Sequence, residues 1–300
     1  MRVVPGRRAG RVRAEYGAGR EIEVLGLPRH SFADLYHHLL TASWPRLAAL
    51  ALVVFLGVNV AFAFGYLATG GIEGARRGSL SDAFFFSIQT MATIGYGKMA
   101  PVSLPAHVLV ALEAFSGLFA LAFMTSLFFA KFARPTARVL FGDVAVVSDY
   151  DGVPSLLLRM ANGRANQIVE AQLRVTLVRD EVTAEGRRVR RMRDLALTRR
   201  ESPVFALSWT AIHPITPESP LWGTTEAGCR ESETDLIVTL IGFDESLAQT
   251  VHARHAYRSD QILYGRRFAD LLSFGERGVR VIDYRRFHEV EEAPLRWPAP

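Results

Sequence analysis

At 300 residues, with a net charge of +5 and 49% hydrophobic side chains, the chain has room for a membrane part and a separately folded domain. Its single cysteine, Cys229, excludes an intrachain disulfide and a zinc cluster, and reads as a buried, inert thiol. The basic excess does not argue for a nucleic-acid partner, because the arginines border apolar runs and lack interleaved aromatics; no nucleophile–base–orienter set or phosphate loop points to an enzyme.

Residues 1–31 are rich in Arg and Gly with weak periodicity, and are predicted to be disordered. From 32 to 44, Phe32, Leu35, Tyr36, Leu39 and Leu40 recur at helical spacing, which predicts an amphipathic helix on the inner membrane surface. A cytoplasmic extension of the following span fits the same spacing. Pro45 is expected to separate the two helices.

A transmembrane domain is predicted over 45–134. Residues 47–68 run without a charge and 107–130 carry only Glu113, so each is long enough to cross a hydrocarbon core of about 30 Å. Glu113 is costly in lipid and must face protein or water with a partner, which the sequence does not name. Between the spans, Ser79 and Asp82 form a helix start signal for a short apolar helix over 80–91, too short to span and therefore re-entrant. Its C-terminal carbonyls would favour a cation beyond them.

Directly after it comes Thr93-Ile94-Gly95-Tyr96-Gly97, nearly identical to the Thr-Val-Gly-Tyr-Gly loop of potassium channels, in which four loops replace the ion's water shell with carbonyl oxygens. Glycine readily takes the positive φ that aims alternate carbonyls one way. These carbonyls are the expected potassium site and no other metal or cofactor is expected; Gln89 and Thr90 are expected to support the loop.

In the second span Gly117, Leu121, Thr125 and Phe129 share one face, flanked by Met124 and Phe128. Either these line an inner cavity and close it at Phe129, or they pack between helices; spacing alone leaves both open, and Gly117 likewise either bends the helix or lets a neighbour approach. Basic residues before Leu47, with Lys131, Arg134 and Arg138 after the second span, predict cytoplasmic termini and an external loop over 69–106. Those last three are expected to face lipid, as a site for anionic phospholipids or as the positive-inside bias alone.

Beyond Pro135 the pattern turns to short strands. Residues 168–179 alternate, with Val169, Ala171, Leu173, Val175 and Leu177 on one face, and 144–148, 156–160, 195–198, 236–241 and 251–255 are further candidates. A β-sandwich over 135–290 follows, with a turn at Glu185-Gly186 and a proline-bearing tail over 291–300.

The chain resembles the bacterial inward-rectifier potassium channels, the KirBac family, over nearly its whole length. The likeness is carried by Asp34-x-Tyr36-His37-x-Leu39-Leu40, Ser43-Trp44-Pro45, Asp82-Ala83-Phe84-Phe85-Phe86-Ser87 and Arg134-Pro135. It continues with Arg159-x-x-Asn162-x-Arg164-x-Asn166, Ser219-Pro220-Leu221 and His252-Ala253-Arg254-His255-Ala256-Tyr257. The resemblance implies a homotetramer of two membrane helices and a pore helix per subunit, an interfacial slide helix, and an immunoglobulin-like cytoplasmic β-sandwich, in a bacterial inner membrane. It also implies a passive potassium channel among the inward-rectifier and voltage-gated classes. Its G-loop gate would be Gly242 to Gln249, including Gly242, Phe243, Asp244 and Ala248. Leu121 and Ile241 stand where strong rectifiers carry acids, so weak rectification is expected; Gln89 and Met99 replace the acid and base that brace the filter in animal relatives. The rival reading is a membrane-anchored sensor that conducts poorly.

Overall fold

The computed structural model describes residues 3–5, 11–16, 20–25, 35–133, 137–164, 166–274 and 278–296. The chain divides into two compact units, one of residues 28–134 and one of residues 1–27 with 135–300.

The strands β1 (Val3–Pro5), β2 (Arg11–Tyr16) and β3 (Arg20–Leu25) form a three-stranded antiparallel sheet, which corrects the expected disorder of residues 1–31 over these stretches. Val12, Ala14 and Tyr16 alternate with Arg11, Arg13 and Glu15, the period of a strand, and the register sets Arg13 opposite Glu23.

In the membrane unit, α1 (Leu35–Thr41) is a seven-residue helix, shorter than the expected 32–44, of which 32–34 lie outside the described residues. Ser43 is extended and begins α2 (Trp44–Thr69). Pro45 therefore stands inside the first turn of α2, where its missing N–H is no loss, rather than between two helices. The 26 residues of α2 reach ~39 Å, enough to cross a hydrocarbon core of about 30 Å. The strands β4 (Ile72–Glu73) and β5 (Ala100–Pro101) pair and pinch the connecting loop at its base.

Within that loop, α3 (Leu80–Met91) has the limits expected from the sequence. Ser79 accepts from the Asp82 amide at 3.2 Å, but the Asp82 carboxylate takes the Arg76 amide and guanidinium at 2.9–3.0 Å, so only half of the capping box forms. The second long helix, α4 (Leu104–Phe132), has 29 residues and starts with Pro105 in its first turn. Ala83 and Phe86 of α3 pack on Ala63 and Tyr66 of α2. Against α4 the approach is closer still, since a Cβ at Gly117 would lie 2.4 Å from the Met91 carbonyl oxygen. Gly117 is thus a packing glycine, which decides between its two readings.

The second unit carries β6 (Val139–Phe141), β7 (Ala145–Tyr150), β8 (Val153–Asn162), β9 (Ile168–Val182), β10 (Arg188–Asp194), β11 (Glu201–Phe205) and β12 (Ser208–Pro214). The helix α5 (Glu226–Glu231), which the sequence did not announce, precedes β13 (Asp235–Asp244), β14 (Gln249–Tyr257), β15 (Ile262–Tyr264) and β16 (Arg266–Phe268). The ribbon β17 (Leu272–Phe274) and β18 (Arg280–Ile282), then β19 (Val290–Glu292), complete it. One sheet runs β10-β9-β13-β14 with β11 on β9, the other β12-β8-β7-β15 with β6 on β8. Leu156 and Leu158 from one and Val175, Leu177, Val238 and Leu240 from the other are buried in one core. This is the expected β-sandwich.

Three expectations change here. Residues 195–198 are not a strand: the Leu195 amide bonds to Val175 in one sheet and the Thr198 amide to Ile212 in the other, so the segment crosses between layers. Ile168 rather than Val169 is buried, because Glu170 at φ +50° is an extra residue opposite the Ile241–Phe243 step and reverses the facing order. Part of the expected tail is held, since β19 pairs with β16 and the Arg296 amide donates to Asp149. Cys229 is buried on α5, and burial pushes its thiol above the ordinary range, as an inert cysteine requires.

Candidate functional site

The end of α3 determines the path of the loop that follows it. The helix closes with the Ala92 amide on Ile88, and the Thr93 amide then donates to Thr90 at 3.1 Å. Next, both the Ile94 and Gly95 amides turn back to the Gln89 carbonyl, at 2.8 and 3.3 Å. Gln89 supports the loop through its main chain, and Thr90 adds a hydroxyl bond to Phe86 at 2.9 Å that tightens the last turn.

Along 93–97 the backbone alternates in hand, with positive φ at Thr93 (56°), Gly95 (55°) and Gly97 (78°) but not at Ile94 or Tyr96. Alternation of this kind lets successive carbonyls share one side. Two of the three positions are glycine, as expected; the third is a β-branched Thr, a conformation held against its intrinsic preference. Tyr96 is 75% exposed, so a single copy of the chain leaves the loop open.

Behind α3 lies a buried polar cluster that joins α2, α3 and α4. Tyr66 of α2 donates to Glu113 Oε2 at 2.6 Å, and Ser87 of α3 bonds Glu113 Oε1. Ser87 also meets Asn59 Oδ1 at 2.9 Å, while the Asn59 amide donates to the Phe55 carbonyl at 2.7 Å and to Met91 Sδ at 3.3 Å. These are the partners that Glu113 required. They lie 47 and 26 residues away in sequence, and no local pattern marks them.

The expected inner-cavity residues divide into two faces. Leu121 (66% exposed), Thr125 and Phe129 (75% exposed) lie on the uncovered side of α4, whereas Met124 packs on the cluster of Leu40, Leu47 and Leu127. Phe128 packs on Trp44 with the rings tilted and their centroids 5.7 Å apart. Met124 and Phe128 therefore fasten α4 to the start of α2.

In the sandwich unit, residues 242–249 are the end of β13, the 245–248 turn and the first residue of β14, the tip of a hairpin. A Cβ at Gly242 would come within 2.5 Å of Ile168 Cγ2, so this glycine is fixed by close packing at the bulge. Asp244 is 1% exposed and inward: it takes the Asn166 side chain at 2.7 Å and the Ser246 and Leu247 amides at 3.0 and 3.2 Å. It shapes the hairpin instead of lining it. Phe243 is partly exposed and Ala248 holds positive φ at the turn.

Lys131, expected to face lipid, is instead turned to protein. Its ammonium donates to Leu40 and Ala42 carbonyls and lies 5.1 Å over the Trp44 ring. Arg134 lies outside the described residues, and Arg138 is exposed in the other unit.

The comparisons with known proteins bear on this arrangement directly. A family profile described as Ion channel matches residues 50–134, and one described as Inward rectifier potassium channel C-terminal domain matches residues 139–298. The inward rectifier potassium channel Kirbac3.1 of Paramagnetospirillum magnetotacticum is 48% identical over 89% of this chain and 92% of its own. The chain belongs to the inward-rectifier potassium channel family. Similar animal members include inward rectifier potassium channel 18 of Homo sapiens, 35% identical over 71% of this chain, and ATP-sensitive inward rectifier potassium channel 12 of Gallus gallus, 34% identical over the same share. The chain covers about half the length of each, 51%.

These relatives are membrane ion channels and not enzymes, in keeping with two helices among the described residues that are long and apolar enough to span. Voltage gating has no support. A voltage sensor needs a series of basic residues within a span, and here the only Lys or Arg of α2 and α4 are Arg46 and Lys131, at the helix ends.

Proposed function

We propose that four copies of this chain form a potassium-selective pore that passes the ion passively, with residues 93–97 of each copy supplying a quarter of its carbonyl ligands. The observation that carries this reading is the alternating backbone of Thr93, Gly95 and Gly97, tied to the Gln89 carbonyl at the end of α3. Two further features support it. The loop is open in one copy, as a fourfold site requires, and the 12-residue α3 brings its carbonyl end to the start of the loop.

In this reading Leu121, Thr125 and Phe129 face the inner pore, and Phe129 closes it by steric occlusion and dewetting. The Gly242–Gln249 hairpin forms a second constriction held by Asp244. Potassium is the permeant ligand and not a resident cofactor. Both termini lie in the cytoplasm of a bacterial inner membrane, and anionic phospholipids shift the closed–open equilibrium through Arg134 and Arg138. Leu121 and Ile241 leave the pore without acids at these positions, so block by intracellular cations, and with it rectification, is weak.

The test is rubidium and sodium flux through purified protein in liposomes, with the native mass measured in detergent. Rubidium flux in excess of sodium from a tetramer is the expected result. Equal sodium flux, or a stable monomer, would end the proposal.

A further inference from the structure

The cluster of Asn59, Tyr66, Ser87 and Glu113 is fully buried, with each residue at most 1% exposed. It contains five polar contacts: Tyr66–Glu113, Glu113–Ser87, Ser87–Asn59, Asn59–Phe55 carbonyl and Asn59–Met91 sulfur. Each contact needs one proton. The Tyr66 and Ser87 hydroxyls supply one each and the Asn59 amide two, so with an ionised Glu113 one contact would set two acceptors against each other. Turning the Asn59 amide over does not help, because its oxygen would then stand 2.7 Å from the Phe55 carbonyl oxygen.

From this count we infer that Glu113 is a neutral carboxylic acid, donating its proton to Ser87, and that in this form it is the positioning group that seats α3 between the two spans. The inference rests on the channel reading for its consequence and on hydrogen-bond counting for its premise. Glu113 donates through Oε1 to Ser87 Oγ, Ser87 donates to Asn59 Oδ1, Tyr66 donates to Glu113 Oε2, and the Asn59 amide serves Phe55 and Met91. All five contacts are then proper hydrogen bonds. The groups facing Glu113 are Tyr66 from α2 and Ser87 from α3, and among the described residues no Lys, Arg or His forms an ion pair with it. A carboxylate here would lack any compensating cation.

The consequence reaches the filter because Met91 ends α3 and Gln89 holds the Ile94 and Gly95 amides. Loss of the Glu113 proton would set Ser87 Oγ and Asn59 Oδ1 against each other as two acceptors and loosen α3 against α2 one turn before its end, where the Asn59–Met91 contact alone would remain.

Two readouts on the full-length protein in liposomes test this. Infrared difference spectra of wild type against Glu113→Gln should show the carbonyl band of a protonated carboxylic acid that is missing from the variant at neutral pH. Potassium-over-sodium selectivity of the wild type should be lost over the alkaline range in which that band disappears. Glu113→Gln, which can donate to Ser87 and accept from Tyr66, should keep selectivity without that alkaline loss. Absence of the band from wild type overturns the inference, as does a Glu113→Gln channel with the wild-type alkaline loss. Should Glu113→Gln fail to assemble, Tyr66→Phe serves instead: it must shift the wild-type band, and an unshifted band again overturns the inference. The band is independent of conduction, so it remains decisive even if the channel reading falls.

Discussion

Lys131, at the end of α4, donates to the carbonyl of Ala42, directly beyond the end of α1, and its ammonium also reaches Leu40 at 3.1 Å. A helix of seven residues cannot hold itself together in water, and a cation at its C-terminus satisfies carbonyls that would otherwise be orphaned. Lys131→Met keeps the aliphatic stem over Trp44 and removes the donor. Its expected cost is about 1–2 kcal/mol in the docking of α1, read as roughly tenfold faster amide exchange over Leu35–Thr41. Unchanged exchange there would show that the cap is not what holds α1.

Gly117 and Gly57 make a matched pair. Both are glycines in spanning helices, but a Cβ at Gly117 meets the Met91 carbonyl while nothing lies within 4 Å of Gly57. Gly117→Ala should therefore push the end of α3 away and destabilise the protein by about 1–3 kcal/mol, with a loss of potassium flux. Gly57→Ala should leave both unchanged. Thermal unfolding and flux of the two variants in one lipid decide it; equal behaviour would mean that Gly117 is not at a close contact.

What could be read from sequence was local, and what could not was long-range or turned on one residue. The limits of α3 followed from Ser79, Asp82 and a continuous apolar run, and the two spans from uncharged length. The partners of Glu113 lie on two other helices, so periodicity carries no sign of them. Ile168 and Val169 exchanged places because one residue, Glu170, bulges out of register, and alternation patterns are blind to such a shift. Residues 195–198 have strand composition but bond to both sheets in turn, a tertiary role that propensity does not encode. Asp244 was placed in its loop only through the family resemblance, and nothing marked it as the loop's internal acceptor, since its partner Asn166 is 78 residues away.

Asp244 leads to the third prediction. Its two oxygens serve the Asn166 amide and the Ser246 and Leu247 main-chain amides. Asp244→Ala leaves these donors without an acceptor at a buried position and should cost about 2–3 kcal/mol. Amide exchange over 245–249 should accelerate, and flux should change if this hairpin gates the pore. Asp244→Asn keeps one acceptor oxygen and should show a smaller effect of the same sign. Ala248→Gly, at a position of positive φ, relieves strain and should slow exchange in the same hairpin. Acceleration in Ala248→Gly would contradict the conformation assigned to the turn.

His213 sets the acid limit of the sandwich. Its Nδ1–H donates to the Ala196 carbonyl at 2.7 Å, and its Nε2 accepts from the Ser219 hydroxyl at 2.8 Å, so the neutral ring is fully satisfied. Burial pushes its pKa below the ordinary value of 6.5, and burial does the same to His255. The unfolded chain therefore binds more protons than the folded one between the folded pKa values and about pH 6.5, and stability there rises with pH. As pH falls through about 6.5 the sandwich should lose stability at up to about 1.4 kcal/mol per pH unit for each histidine, levelling off below the folded pKa values. His213→Gln carries no titrating group and should flatten this slope by one histidine's share, whatever its effect on stability at neutral pH. Denaturant unfolding of the full-length protein between pH 5 and pH 8, followed by tryptophan fluorescence, to which the buried Trp209 of the sandwich contributes, measures the slope. An unaltered slope in His213→Gln would mean that its ring is not held neutral by the fold, and the acid sensitivity would then belong to His255.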